Sequence, residues 1–383
     1  MSEAAPARWV EDSADLGALV AELVDEPRYG LDTEFHGERT YWPRLALIQL
    51  SWRRGVALVD PLAVDPRPLA KLFAGPGVMV AHAADQDLAI LERATGQTPT
   101  ELFDTQIAAG FVGLGTPSLA SVVERMVDKR LTKGDRLTDW TRRPLRPEQK
   151  TYAAADVEYL LPVHEQLVRR LETAGRLQWA LDECEERRVR SRARPEPETA
   201  WWRIKGARQL RGGARGVAQE VAAWRERTAE SLDVPPRFVL SDLALAGIVH
   251  RPPHDRSELT GIRGIDGRLR DDAASELLNA IAAGTRLEPS QLRLPASDRI
   301  DRSLAPAVTI LGAWLAQRAS ELDLDPALLG TRSELTQLLQ GQRSRLGTGW
   351  RAELVGEPLR RLLEGKASLS LRDNGRRIEL RDQ

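Results

Sequence analysis

The sequence contains a single cysteine, Cys184, among its 383 residues. An intrachain disulfide therefore cannot form, and a zinc site built from a cluster of cysteines is excluded. Scarce cysteine is typical of proteins from reducing compartments, so we expect a cytoplasmic location.

Long apolar runs are also missing. No stretch reaches the about 18 consecutive apolar residues expected of a membrane-spanning helix. The first residues lack the basic start of a secretory signal and carry acidic groups at Glu3, Glu11 and Asp12. We therefore expect neither secretion nor membrane insertion. Apolar residues still make up 42% of the chain, which argues against intrinsic disorder and leaves enough for two or three folded units.

The net charge is only -1, but the charges are unevenly distributed. Residues 1–200 carry 26 basic and 32 acidic groups, whereas residues 201–383 carry 29 basic and 24 acidic groups. An acidic first half beside a basic second half makes nucleic acid a partner to consider.

The first half alternates short apolar runs with turn signals and helical patterns, which predicts an α/β sheet domain. The predicted strands are Tyr29–Thr33, Arg44–Trp52, Val56–Pro61 and Val78–Ala83. The predicted helices are Asp15–Val24, Arg67–Phe73, Asp85–Thr95, Ser118–Val127 and a long segment, Pro147–Arg190, kinked near Pro162.

The second half is predicted to be helical after a linker at Arg187–Thr199. A pattern around Trp224 recurs around Trp314, about 90 residues later, and each copy precedes a short and then a longer helix. Two copies of one small helical module are the simplest interpretation. The segment Leu369–Arg381, with Asn-Gly at its centre, predicts a final β-hairpin.

Two carboxylates, Asp32 and Glu34, lie two residues apart at the end of the first predicted strand. Residues at this spacing in a strand point to the same face, so the two charges come together. Like charges at close range are unfavourable unless a cation lies between them. The alternative is a solvated acidic pair at a strand end.

Two helical segments offer further acidic groups. We expect Asp85 to cap the helix that follows the fourth strand, which leaves Asp87 free for another role. The alternative for Asp87 is a favourable interaction with the helix dipole. Tyr152 and Asp156 are four residues apart and share one helix face, although an intrahelical hydrogen bond would also explain that spacing.

Together these motifs resemble those of a known nuclease superfamily. Their order is Asp32-x-Glu34, then His82-x4-Asp87-Leu88, then Tyr152-x3-Asp156. It is similar to the three exonuclease motifs of the DEDD superfamily, and Thr151, where another subclass has histidine, indicates the tyrosine subclass. The segments LDTEF, RLALIQLS, DWTRRPL and QKTYAAADVEYLLPV resemble the bacterial ribonuclease D family. The downstream repeats resemble the two HRDC domains of that family.

The resemblance implies a ribonuclease H-like exonuclease domain with a mixed sheet at 1–195, followed by all-α HRDC domains at 206–286 and 300–371. It also implies two divalent cations and hydrolysis from RNA 3′ ends with release of nucleoside 5′-monophosphates. Four carboxylates offer only hard oxygen ligands, which suit Mg²⁺ or Mn²⁺.

The same resemblance implies roles for the individual residues. Asp32 would bridge the two cations, with Glu34 and Asp156 on the cation nearer the attacking water. Asp87 would support the second cation through water, and Tyr152 would orient the attacking water.

The expected substrate is RNA with a free 3′ end, such as tRNA precursors, and we expect a monomer. The RNA path is expected to include basic residues of the 125–150 region: Lys133, Arg136, Arg142, Arg143 and Lys150. Trp201 and Trp202 begin a basic stretch that could stack a base and neutralise phosphates, or the two indoles could pack on the catalytic domain. The alternative functions are a DNA 3′ exonuclease and a non-catalytic nucleic-acid-binding protein.

Overall fold

The computed structural model describes residues 7–131, 138–190, 196–265, 270–294 and 302–382. The strands are β1 Arg8–Val10, β2 Arg28–His36, β3 Arg44–Trp52, β4 Gly55–Val59, β5 Val78–Ala81, β6 Glu101–Asp104, β7 Ala367–Arg372 and β8 Arg377–Asp382. The α-helices of the first half are α1 Ser13–Leu23, α2 Ala70–Phe73, α3 Asp85–Thr95, α4 Thr105–Gly110, α5 Leu119–Val127, α6 Pro147–Glu158, α7 Leu160–Thr173 and α8 Leu177–Arg190.

The second half is helical up to the final hairpin. Its α-helices are α9 Gly213–Leu232, α10 Pro236–Val239, α11 Asp242–His250, α12 Arg256–Thr260, α13 Asp271–Arg286, α14 Ala305–Glu321, α15 Pro326–Leu329, α16 Arg332–Leu339, α17 Gly349–Arg351 and α18 Glu357–Leu363. Short 3₁₀ turns cover Arg67–Leu69, Pro197–Arg203, Ala207–Gln209, Pro289–Gln291, Arg302–Leu304, Arg345–Gly347 and Asp373–Gly375, and a π-helical turn covers Ala352–Gly356. Among the helices described, none is long and apolar enough to span a bilayer.

Six strands form one mixed sheet in the order β1-β4-β3-β2-β5-β6. β2, β5 and β6 pair in parallel, β3 and β4 pair antiparallel, and β1 pairs in parallel with β4. The predicted α/β architecture is therefore confirmed, and β2 lies in the middle of the sheet. The edge strands β1 and β6, of three and four residues, were not predicted.

The long helical segment that ends at Arg190 is divided into three helices. Helix α6 ends at Glu158, four residues before Pro162. This break has a steric cause, because a proline ring clashes with the carbonyl four residues earlier and offers no N–H to it. A second break, at Gly175 with a φ of 65°, lies between α7 and α8 and was not predicted.

The chain divides into two compact units. One comprises the described residues up to Phe35, from Leu45 to Arg190, and 302–382; the other comprises His36–Arg44 and 196–294. In the first unit, buried side chains of the C-terminal helices belong to the same core as those of the sheet. The second unit has its own core, formed mainly by α9, α11 and α13.

Within the first unit, an ion-pair network joins α8 to the C-terminal helices. The carboxylate of Glu183 accepts hydrogen bonds from the guanidinium groups of Arg351 and Arg345, the latter at 3.2 Å. It also accepts one from the indole of Trp350, whose ring stacks on Trp179 at 5.2 Å between centroids. Buried charges need such partners. The C-terminal helices are therefore expected to unfold together with the sheet.

Candidate active site

Three carboxylates meet beside the middle of the sheet. Asp32 and Glu34 lie on one face of β2, and Asp156 lies on α6. One carboxylate oxygen from each residue lies within 4.8 Å of the other two. The structure thus brings together side chains that are more than 120 positions apart in the sequence. Such a group of acidic oxygens is a donor set that suits Mg²⁺ or Mn²⁺.

Asp32 lies in an unfavourable electrostatic environment. Its burial, followed by the charges of Asp87, Asp156 and Glu34, raises the pKa of Asp32 well above its ordinary value. A hydrogen bond from the backbone of Thr33 opposes this rise only in part. A cation among these oxygens would remove the repulsion.

Asp87 lies next to this group but outside the 4.8 Å cluster. It occupies the first turn of α3 and is 7% exposed. The hydroxyl of Thr33, between Asp32 and Glu34, donates to Asp87 Oδ1 at 2.5 Å. Burial raises the pKa of Asp87 to about 6, although that hydrogen bond lowers it. Thr33 therefore ties the acidic end of α3 to the carboxylates of β2.

The turn that positions α3 differs from the prediction. Asp85 does not cap the helix; Ala84 is the N-cap residue and no side chain caps it. Asp85 instead faces Arg187 at 3.5 Å. The fully buried Asp104 accepts hydrogen bonds from the two backbone N–H groups before Asp85, at 3.1 and 3.0 Å. Asp104, which nothing in the local sequence singles out, therefore holds the turn that places Asp87.

Tyr152 and Asp156 share one face of α6, as their spacing predicts. Together with Asp32 they line a cleft of about 320 Å³. The other lining residues are Leu31, His82, Gln106, Ser118, Leu119 and Leu160. The cleft thus presents a phenol beside two of the three clustered carboxylates.

His82 also lines the cleft, although the sequence motifs did not predict a role for it. One ring nitrogen lies 2.9 Å from the hydroxyl of Thr105, and the other lies 3.1 Å from the carbonyl of Pro117. Burial lowers its pKa below the ordinary value, which favours the neutral imidazole. The sequence signal for His82 was its position in the second motif, five residues before Asp87.

The basic residues expected along the RNA path have different environments. Lys133 and Arg136 lie outside the described residues. Arg143 donates to a buried aspartate and to three backbone carbonyls, so it is not available to neutralise a phosphate. Lys150 lies over a tryptophan ring at 4.0 Å. Arg142 remains 85% exposed.

The two neighbouring tryptophans also differ from the expectation. Trp201 is 1% exposed in the core of the second unit, and its indole donates to the carbonyl of Arg293 at 3.2 Å. Because the ring is buried in that core, it is not available to stack a base. Trp202 is more exposed but donates to the same carbonyl.

Family comparisons agree with this site. A family model described as 3′-5′ exonuclease matches residues 7–172, and the HRDC domain model matches residues 214–281. The fold and the acidic cleft thus define a 3′-5′ exonuclease with a ribonuclease H-like mixed sheet, followed by a helical HRDC domain.

Full-length relatives narrow this class. Ribonuclease D of Acidiphilium cryptum is 36% identical over 97% of this chain and 96% of its own, and that of Zymomonas mobilis is 34% identical over 94% and 95%. The crystal structure of Escherichia coli RNase D, described as an exoribonuclease involved in structured RNA processing, matches with a TM-score of 0.83 and 32% identity. That match covers 94% of this chain and 99% of the Escherichia coli chain. The chain belongs to the ribonuclease D family, and its enzyme class is 3′-5′ exoribonuclease.

Proposed function

We propose that this exoribonuclease releases nucleoside 5′-monophosphates from RNA 3′ ends by hydrolysis that depends on two divalent cations, Mg²⁺ or Mn²⁺. The proposed ligands are four carboxylates: Asp32, Glu34, Asp87 and Asp156. The observation that carries the proposal is the mutual approach of the Asp32, Glu34 and Asp156 oxygens to within 4.8 Å. Acidic groups tolerate that spacing best around a cation.

Each acidic residue has a distinct position in this scheme. A bound cation pair supplies positive charge to the attacking and leaving oxygens of an in-line phosphoryl displacement. The charges of the other three acids all act on Asp32, so Asp32 would be the ligand shared by the two cations. Glu34 and Asp156 would hold the cation on one side, and Asp87, which lies outside the cluster, would support the other cation through water.

Tyr152 is the proposed partner of the attacking water. Its phenol lines the cleft with Asp32 and Asp156, and a hydroxyl there can orient a water by hydrogen bonding. No covalent nucleophile is needed for hydrolysis of this kind. This role assigns the chain to the tyrosine subclass of the DEDD exonucleases.

The function is tested with Asp156→Asn and a control on the same helix. Asp156→Asn keeps the side-chain shape but removes a ligand charge, so mononucleotide release from 3′-labelled RNA should fall by at least about 10²-fold. The control Glu148→Gln removes an exposed charge from α6 and should leave the rate unchanged. Undiminished release by Asp156→Asn would contradict the mechanism.

RNA is proposed as the preferred polymer over DNA, with structured RNA such as tRNA precursors as the substrate. The support is the full-length similarity to the Escherichia coli enzyme, which is described as acting in structured RNA processing. Competition between RNA and DNA oligonucleotides of the same sequence tests the choice. Faster trimming of DNA would overturn it.

We also propose domain boundaries at 1–195, 206–286 and 300–371, with the last segment a second, diverged HRDC domain. The support is a repeated helical order: α14, α15 and α16 follow one another as α9, α10 and α11 do. In both copies a buried tryptophan, Trp224 or Trp314, lies in the long helix. An aspartate with positive φ, Asp233 or Asp323, follows that helix. A monomeric state and a cytoplasmic location remain predictions.

A further inference from the structure

Arg143 uses its whole guanidinium group inside the protein. Its Nε and Nη2 atoms donate to the two carboxylate oxygens of Asp60 at 2.5 and 2.7 Å. Nη1 donates to the carbonyls of Trp140 and Arg142 at 2.8 and 2.9 Å, and Nη2 donates to that of Ala46 at 2.7 Å. These five hydrogen bonds equal the number of N–H donors in a guanidinium. Arg143 is therefore a bidentate clamp and not a surface charge.

The aspartate that holds Arg143 is itself fixed to the sheet. Asp60 follows β4 directly and is 3% exposed. Its backbone N–H donates to the carbonyl of Val10 at 2.8 Å, and its Oδ1 accepts from the N–H of Leu62 at 3.0 Å. A buried carboxylate of this kind needs a cation, which Arg143 provides. The clamp thus attaches the segment around Arg143 to the C-terminal end of β4.

The clamped segment carries Trp140, which supports the proposed catalytic phenol. Trp140 is 2% exposed, and the ring of Tyr152 packs on it with 6.1 Å between centroids and 30° between planes. The same small cluster contains Ala46, Leu47, Leu58, Leu145 and Ala153. Trp140 therefore packs against the ring of Tyr152, a residue that also lines the active-site cleft.

We propose that Arg143 is a positioning residue for hydrolysis: through Asp60 it locks Trp140, and Trp140 holds the Tyr152 phenol in the active-site cleft. This inference rests on the role proposed above for Tyr152. A displacement of about 1 Å at a reacting group can lower a rate by about 10²-fold. Loosening the clamp should therefore lower kcat without weakening the binding of RNA.

A phosphate-binding role would give the opposite kinetic result. An arginine that neutralises a phosphate contributes to RNA binding, so its loss raises KM and changes the salt dependence. Arg67, which lies outside the expected RNA path, is the control because its side chain is 76% exposed and pairs with Asp65 at 2.5 Å on the protein surface.

The experiment compares Arg143→Lys with Arg67→Lys on one 3′-labelled RNA at saturating Mn²⁺. Lysine keeps the charge but cannot form the bidentate pair and the three carbonyl contacts. We expect kcat to fall at least about 10-fold for Arg143→Lys. KM should change by less than about twofold, because uniform binding is retained. Arg67→Lys should change neither constant.

Two further variants exclude a general folding defect. Trp140→Phe leaves every backbone acceptor of Arg143 in place but shortens the surface under Tyr152, so it should also lower kcat selectively. In the double variant Arg143→Lys/Tyr152→Phe, kcat should equal that of Tyr152→Phe alone, because residues that act through one group are not additive.

Each contrary result has its own meaning. Full kcat in Trp140→Phe, a raised KM with unchanged kcat in Arg143→Lys, or multiplied losses in the double variant would each overturn the positioning role. Full kcat in Tyr152→Phe would instead refute the role proposed for Tyr152, whatever the Arg143 variant does.

Discussion

Replacing Asp32 by asparagine should make the cation-free protein more stable while it destroys activity. The amide keeps the shape of the side chain but removes the charge at the centre of the acidic cluster. Two unit charges 4.8 Å apart repel by about 1 kcal/mol in water and by about 3.5 kcal/mol near a protein surface. Because Asp32 is partly exposed to the cleft, we expect a gain of about 1–3 kcal/mol.

Divalent cations should reverse this order. At a concentration 100 times its dissociation constant, a ligand stabilises the folded state by about 2.7 kcal/mol. The wild-type protein should gain stability of that size from Mn²⁺, whereas Asp32→Asn should gain little. In Mn²⁺, the free energy of unfolding of the wild type would then equal or exceed that of Asp32→Asn.

Urea denaturation followed by tryptophan fluorescence, in EDTA and in Mn²⁺, measures both effects. Glu148→Gln, an exposed acid on α6, is the control and should follow the wild type in both buffers. If Asp32→Asn were less stable than the wild type in EDTA, the carboxylates would not be repelling one another, and the electrostatic reasoning would be refuted.

Two other predictions concern stability. The pKa of Asp87 is raised to about 6, so between about pH 4 and pH 6 the folded protein keeps a proton on Asp87 that the unfolded protein has lost. The contribution of protonated Asp87 to the free energy of unfolding is therefore complete below about pH 4 and is lost as the pH rises through about 6. In EDTA, the free energy of unfolding of Asp87→Asn, measured by urea denaturation, should rise relative to that of the wild type by up to about 3 kcal/mol between pH 4 and pH 7. A stability difference that does not change with pH would contradict this. Arg351→Met should cost about 3–5 kcal/mol, because it removes a cation from the buried Glu183, and the sheet and the C-terminal helices should still unfold in one transition. An earlier, separate unfolding of the C-terminal helices would contradict the shared core.

The parts of the site that depend on local periodicity could be predicted from the sequence. Asp32 and Glu34 share a strand face because side chains alternate along a strand, and Tyr152 and Asp156 share a helix face because they are four residues apart. In the structure, carboxylate oxygens of Asp32, Glu34 and Asp156 lie within 4.8 Å of one another, and Tyr152 lines the same cleft as Asp32 and Asp156. Their catalytic roles remain predictions.

The parts that depend on distant partners could not be predicted. Asp85 was expected to cap α3, but Asp104, from a later strand, binds the N–H groups at that turn. Arg143 was expected to face RNA, yet its carboxylate partner Asp60 lies 83 residues earlier in the chain. Charge and spacing give no sign of such partners, because only the folded sheet brings them together.

The central claim is that acidic side chains from separated segments form one binding site for divalent cations. Equilibrium dialysis against Mn²⁺, with the bound metal counted per chain, tests it most directly. We predict two bound ions in the wild-type protein and none in the double variant Asp32→Ala/Asp156→Ala. An equal count in the two proteins would contradict the claim.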